Sequence, residues 1–280
     1  VERLLEGFAF LAARVQLKLD AEFPRFTERL LEIVYPNYLS PTPAMMVAQV
    51  QPVLGDAALA TGVRLERGSE LRSGSIRGTH TECRFRTGQD LELWPLELAS
   101  VSYFAHAANL PLARLPEWRK YGGGLRIRLR ATAGLDFSRI QLQDLRLYCS
   151  ANDDVAYRLH ELICGHTQGV LVMPADGGSG EPQVLADGVK AVGFDDDHAL
   201  LPRTLTGFSG YRLLQEYFAF PQRFLFFDLV GLGPALRALG GREADIVLLF
   251  RRGDTSLQQV VGNDALALHC VPAINLFEQR

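Results

Sequence analysis

Leu125-Arg126-Ile127-Arg128-Leu129-Arg130 decides the architecture: aliphatic and basic residues alternate, the period of a β-strand with one dry and one wet face. Cys83-Arg84-Phe85-Arg86-Thr87 repeats the device. From Met45 to about Ser150, such runs are separated by turn chemistry at Leu54-Gly55-Asp56, Thr61-Gly62, Arg67-Gly68-Ser69, Thr87-Gly88-Gln89-Asp90 and Gly122-Gly123-Gly124. Short strands with frequent turns predict an antiparallel sandwich or barrel over residues 44–152.

Upstream the period is helical. Leu4, Phe8, Leu11, Val15 and Leu19 share one face, while Glu2, Arg3, Glu6, Arg14 and Lys18 avoid it. A second helix is expected from Pro24, carrying Phe26, Leu30, Leu31 and Val34 and ending before Pro36. Residues 1–43 therefore read as a helical hairpin, followed from Tyr35 by an extended connector that holds Pro36, Pro41 and Pro43.

Downstream, residues 153–280 read as a mixed α+β domain, with the boundary near Ser150 to Asp154 and a cut near Gly177 as an alternative. Its expected elements are a helix capped by Asp153 or Asp154 and stopped by Gly165, a strand at Val170–Met173, a loop at 174–180 and a helix at 210–220. An aromatic strand at 223–230, a short helix at 234–239 and a buried strand at 245–250 follow. The fold class is α+β, predominantly antiparallel β.

The 280 residues are 48% hydrophobic and 22% charged, with a mean hydropathy of +0.04, enough apolar material for a core. Lys and Arg number 29 against 32 Asp and Glu, a net charge of −3 and a pI near 6.1, so no global field draws the chain to nucleic acid or anionic lipid. Cys83, Cys149, Cys164 and Cys270 are scattered without a CxxC pair, which favours reduced thiols in a cytoplasm over a disulfide scaffold. No apolar run approaches the ~20 residues of a membrane span, and no export signal is visible. Val1 opens directly into a helical pattern and apolar residues are still arriving at Phe277, so the chain is expected to be a fragment of a longer protein.

Candidate chemistry is sparse. His160, Cys164 and His166 could begin a zinc site or a Cys/His nucleophile, but a fourth ligand and an orienting group are lacking. Asp195-Asp196-Asp197-His198 has carboxylates for a hard cation without the alternation of a calcium loop. Gly122-Gly123-Gly124 lacks the Lys-Ser/Thr and following helix of a phosphate cradle and reads as a turn. Glu92 and Glu97 could form a glycosidase-type pair, but read as strand-surface charges. Asp254, inside Arg252-Gly253-Asp254, reads as a helix cap for Thr255-Ser256-Leu257. A basic sheet face from Arg64, Arg67, Arg72, Arg77, Arg84 and Arg86, with Arg126, Arg128 and Arg130, would suit nucleic acid, yet only Phe85 interleaves as a stacking residue. No catalytic, cofactor or metal residue is therefore assigned. A metal-dependent or Cys/His enzyme and a basic-sheet nucleic-acid module are the alternatives to a structural role.

A more specific pattern is carried by Val1 to Val15, by Glu22-Phe23-Pro24 and by Leu31-Glu32-Ile33-Val34-Tyr35-Pro36-Asn37-Tyr38-Leu39-Ser40-Pro41-Thr42-Pro43. Cys83 to Thr87, Leu93-Trp94-Pro95-Leu96, Phe218-Ala219-Phe220-Pro221 and His269-Cys270-Val271-Pro272-Ala273-Ile274-Asn275-Leu276-Phe277 continue it in order. Together they closely resemble the TssF (ImpG/VasA) family of type VI secretion baseplate subunits. The resemblance implies a non-enzymatic wedge protein without cofactor that pairs with TssG and is joined by TssK and TssE around the VgrG hub. A second TssF copy and sheath proteins are further implied neighbours, with no nucleic acid and no direct membrane insertion. The implied place is the cytoplasm, in a membrane-docked baseplate. Asp176 to Gly180 departs from the family as a variable loop. The candidate partner contacts are Leu4, Phe8, Leu11 and Val15 on the helices, Tyr211, Tyr217, Phe220 and Phe224 in the aromatic stretch, and Arg126, Arg128 and Arg130 on the sheet, with core packing or solvent as the alternative.

Overall fold

A computed structural model describes residues 2–74, 82–105, 110, 120–175, 180–203 and 208–277, apart from the side chain at position 57. The strands are β1 (Met45–Gln49), β2 (Val63–Leu65), β3 (Glu70–Arg72), β4 (Arg84–Thr87), β5 (Leu91–Leu93), β6 (Leu96–Phe104), β7 (Gly123–Ala131) and β8 (Leu145–Cys149). They continue as β9 (Thr167–Pro174), β10 (Gln183–Leu185), β11 (Val189–Ala191), β12 (Phe226–Leu229), β13 (Glu243–Phe250), β14 (Leu266–Ala267) and β15 (Cys270–Ile274). The helices are α1 (Glu2–Val34), α2 (Asp153–His166), α3 (Ser209–Ala219) and α4 (Leu232–Leu239). Two compact units result, one from residues 1–43 with 201–219, the other from 44–200 with 220–280.

The first unit holds α1 and α3. Where a hairpin is expected, α1 is one helix of 33 residues that runs through Pro24. Proline removes a single intrahelical donor, and Asp20-Ala21-Glu22-Phe23 holds no glycine, asparagine or second proline to turn the chain at the break. Thr27 Oγ1 donates to the Pro24 carbonyl at 2.8 Å just beyond it. The helix stops where Pro36 forces the preceding residue out of the α region: Tyr35 sits at φ −154°, ψ 77°. Residues 36–39 then form a 3₁₀ turn inside the stretch expected to be extended. Tyr35 is buried, its hydroxyl donating to Gln215 Oε1 of α3 at 2.6 Å.

The second unit is built from antiparallel pairings. A five-stranded sheet runs β10-β9-β13-β7-β6, a four-stranded sheet β11-β12-β8-β14, another β1-β15-β4-β3, and β2 pairs β5. Leu125, Ile127 and Leu129 of β7, Ile246 and Leu248 of β13, Val170 and Val172 of β9, Leu147 of β8 and Phe227 of β12 meet Leu159 and Ile163 of α2 and Leu232 and Leu236 of α4 in one core. The alternation read at Leu125 to Arg130 is thus the inner and outer face of a real strand. Residues on either side of Ser150 pair in three sheets (β7 with β13, β8 with β12, β1 with β15), so these units do not follow the expected division into 44–152 and 153–280.

Smaller departures have local causes. The cap of α2 is Asn152, one residue before the expected Asp153, its side chain accepting from Val155 N at 3.1 Å, and the helix continues through Gly165 to His166. Of the expected loop at 174–180, Pro174 still belongs to β9 and residues 176–179 lie outside the described residues, as does Arg77. Gly122-Gly123-Gly124 is not a turn: Gly123 and Gly124 open β7. A Cβ there would lie 2.4 Å from Tyr103 Oη at Gly123, and 2.4 Å from the Phe104 ring and 2.8 Å from the Leu248 carbonyl at Gly124, so small residues are needed for neighbours to approach. Gly124→Ala is expected to destabilise the protein by about 1–3 kcal/mol in urea denaturation. Gly55→Ala, whose Cβ meets nothing within 4 Å, should change stability by less than about 0.5 kcal/mol.

Candidate partner-docking surface

No residue of α1 is buried. Its apolar positions Leu4, Phe8, Leu11, Val15, Leu19, Phe23, Phe26, Leu30 and Ile33 follow one another at spacings of three or four and are 46–79% exposed. At 1.5 Å per residue this stripe runs about 44 Å. Leu30 continues into an apolar groove of about 810 Å³ within the first unit, lined also by Leu31, Val34, Tyr35, Tyr211, Leu214 and Phe218. Tyr211 packs against Tyr35 with centroids 6.1 Å apart, and Tyr211 and Tyr217 remain 43% and 49% exposed.

The other aromatic candidates separate. Phe220 is half-buried beside β1. Phe224 is core, 6% exposed, with the Arg223 guanidinium 4.5 Å above its ring and Phe194 at 5.3 Å, so it offers no surface to a partner. Arg126, Arg128 and Arg130 meet carboxylates of neighbouring strands. Arg128 binds Asp245 through both oxygens at 2.7 and 3.0 Å, and Arg126 lies 4.0 Å from the same carboxylate. Arg130 bridges Glu243 at 2.6 Å and Glu97 at 3.0 Å. The basic stripe of the sequence is a charge-balanced ladder, because the acidic partners arrive from strands distant in the chain.

The same holds for a polar cleft of about 560 Å³ beside β5. There Arg146 forks onto Asp228 at 2.8 and 3.0 Å and reaches Gln89 Oε1 at 2.8 Å, and Arg64 pairs with Asp90. Arg67 donates to the carbonyls of Asp197 and Ala199 at 2.9 and 2.7 Å. Arg72 and Arg84 meet Glu70 at 3.0 and 3.6 Å. Glu92 and Glu97 stand in different sheets. Asp195-Asp196-Asp197-His198 is a turn in which His198 Nδ1 accepts from Gly193 N at 3.3 Å. Among the described residues no three His, Cys, Asp or Glu side chains gather as a metal site.

Cys164 Sγ lies 3.4 Å from His160 Nε2, and burial pushes the thiol up to about 12. Burial also lowers His160, opposed by the Phe226 carbonyl, so both groups stay neutral rather than forming the thiolate and imidazolium of a nucleophilic pair. Asp254 caps the turn at Thr255–Gln259, accepting from Ser256 N at 3.0 Å. All four cysteines are free thiols, and no helix among the described residues is long and apolar enough to cross a membrane.

An antiparallel α+β chain whose sheet arginines are paired with carboxylates, while one apolar stripe of its longest helix and the adjoining groove stay open, has a surface chemistry that suits an assembly component. The type VI secretion system TssF family model matches residues 1–280, and the chain belongs to the TssF family. The type VI secretion system component TssF1 of Pseudomonas aeruginosa is 47% identical over 281 aligned residues, covering all of this chain and 45% of that protein. A chain in the cryo-electron-microscopy structure of the type VI secretion system TssK-TssF-TssG baseplate subcomplex superposes with a TM-score of 0.72 at 31% identity, over 99% of this chain and 49% of that one. This chain thus spans about half the length of the relatives it matches.

One titration is specific to the fold. His269 is buried, takes φ 57°, and its Nε2 accepts the Trp94 N–H at 3.2 Å. Burial lowers its pKa from 6.5 to about 4. The unfolded chain therefore binds more protons, and stability present above pH about 6.5 is lost as pH falls toward about 4, by up to about 3 kcal/mol. Urea unfolding followed from pH 7 to 4 should show this slope. His269→Asn, which tolerates the left-handed backbone, should remove the His269 share of it, leaving the part due to His160 and His198, which burial also lowers.

Proposed function

We propose that this chain serves as a non-enzymatic structural part of a type VI secretion baseplate, building a wedge complex with a TssG-type subunit joined by TssK. TssE, the VgrG hub, a second TssF copy and sheath proteins complete the proposed neighbourhood, in a cytoplasmic baseplate docked at a membrane. The reading is carried by the likeness, over nearly the whole chain, to a component of the TssK-TssF-TssG subcomplex. The exposed stripe of α1 supports it physically: a helix with apolar residues at spacings of three and four is matched by a partner that supplies a complementary apolar seam.

Co-expression with a TssG-type subunit is expected to yield one co-purifying complex. Phe8→Glu combined with Leu11→Glu should weaken it by roughly 100-fold, since two desolvated apolar contacts are lost and charges introduced. The thermal midpoint of the isolated chain should hardly move, because both side chains are more than 60% exposed. A wild-type chain that stays alone in that mixture would sink the reading.

A further inference from the structure

We infer that the free edge of β1 receives an extended, uncharged segment of a partner subunit, which adds a strand to the sheet β1-β15-β4-β3. The inference rests on the assembly role proposed above for the existence of that partner.

Backbone parity identifies what the edge offers. Asn275 N donates to the Ala44 carbonyl and Val50 N to that of His269, both at 2.9 Å, and Met45 pairs in register with Ile274 and Gln49 with Cys270. Hydrogen-bonded pairs therefore fall at Met46 with Ala273 and Ala48 with Val271. Pro272 stands opposite Val47, where no donor toward β1 is needed, and its carbonyl turns the other way to accept from Gly88 N at 2.7 Å. The N–H and C=O groups of Met45, Val47 and Gln49 consequently point away from β15, along an edge where no described strand pairs. They form an alternating row of donors and acceptors that an added strand satisfies in full.

The contrast with the other edges makes this row informative. Natural sheets guard their edges with charges, bulges, short strands or covering loops. Here β3 is Glu70-Leu71-Arg72, β11 carries Lys190, the pair β2 and β5 carries Arg64 and Glu92, and β10 and β14 are three and two residues long. Strand β6 has a register shift between Leu98 and Ser100, and its Val101 N–H is taken by Asn263 Oδ1 at 2.9 Å. Strand β1, Met-Met-Val-Ala-Gln over five residues, has no charge, proline or register shift.

Charge sets the chemistry of the occupant. A groove of about 470 Å³ runs beside β1, and the residues lining it, among them Met45, Val47, Tyr148, Phe220, Gln222 and Cys270, include no charged side chain. A charged segment would lose hydration there without a counter-charge. An apolar or uncharged segment would place alternate side chains against Tyr148 and Phe220, and two methionines give the wall adaptable shape.

The test is amide-resolved hydrogen exchange on the full-length subunit, alone and in complex with its co-expressed TssG- and TssK-type partners. In the free subunit the amides of Met45, Val47 and Gln49 should exchange quickly while those of Met46 and Ala48 are slow, and in the complex all five should be slow. Val47→Pro removes one edge donor and none of the ladder bonds to β15, and keeps an apolar ring where Val47 packs on Val192, Phe226 and Cys270, so it should weaken assembly roughly ten-fold while lowering the thermal midpoint only slightly. Gln49→Lys, at the exposed end of the strand, keeps the donor but guards the edge with a charge, and should do the same. A complex in which these three amides still exchange quickly, or in which both variants assemble at wild-type strength, overturns the inference and leaves the assembly role standing. Concentration-dependent protection in the subunit alone assigns the edge to a second copy and also overturns it. No complex at all overturns both readings.

Discussion

Strand β13 has a filled ladder on each side, to β7 and to β9, and is dry along most of its length, so the carboxylate of Asp245 has to be compensated where it stands. Arg128, directly opposite in register, supplies a two-pronged contact, and Asp245 is left only 3% exposed. Removing either member of such a buried pair leaves a bare charge and costs about 3–5 kcal/mol, whereas the intact pair adds little net stability. What it adds is register. Slipping β7 by one residue would turn Arg126, Arg128 and Arg130 into the core and Leu125, Ile127 and Leu129 outward. The apolar face and the ionic face of the same strand therefore enforce one alignment, and the sheet that carries most of the core depends on it.

That dual constraint explains what could be read without coordinates. Strict alternation at Leu125 to Arg130 signals a half-buried strand wherever its neighbours come from, so strand existence and facing were legible. The destination of the arginines was not, because Asp245 and Glu243 lie more than a hundred positions downstream and only tertiary pairing brings them close. The pairing across the apparent boundary near Ser150 was hidden for the same reason: composition changes along the chain, while β8 and β12 pair across it. Pro24 misled locally, since a proline inside a long amphipathic run deletes one hydrogen bond and can be carried within a helix that continues beyond it, as α1 does. Three consecutive glycines read as a turn because that is their commonest use, whereas here Phe104 and Tyr103 crowd the strand from outside.

On the surface, the aromatic run from Tyr211 to Phe224 looked uniform in sequence but divides by secondary structure. Helix α3 presents Tyr211 and Tyr217 outward, while the turn at Pro221–Phe224 folds Phe224 under Arg223. The apolar stripe of α1 was legible as a stripe, but its exposure was not, for the same periodicity describes a helix packed in its own core. With no covering element within the described chain, it stays open as a candidate docking surface.

The energetics of that stripe set a limit. Covering nine side chains that are now 46–79% exposed would recover on the order of 10 kcal/mol. Association costs about 4–15 kcal/mol in lost translation, rotation and side-chain freedom. The stripe alone therefore supports modest affinity, and a long-lived assembly needs further contacts. The groove between α1 and α3 extends the apolar area at little extra ordering cost, since Tyr35 and Tyr211 are already held in place. Directional contacts have to supply the rest, because apolar area sets strength but not alignment, and a helix free to slide along a 44 Å seam, as 1.5 Å per residue implies for about thirty residues, gains alignment only from groups such as unpaired backbone amides that accept one register.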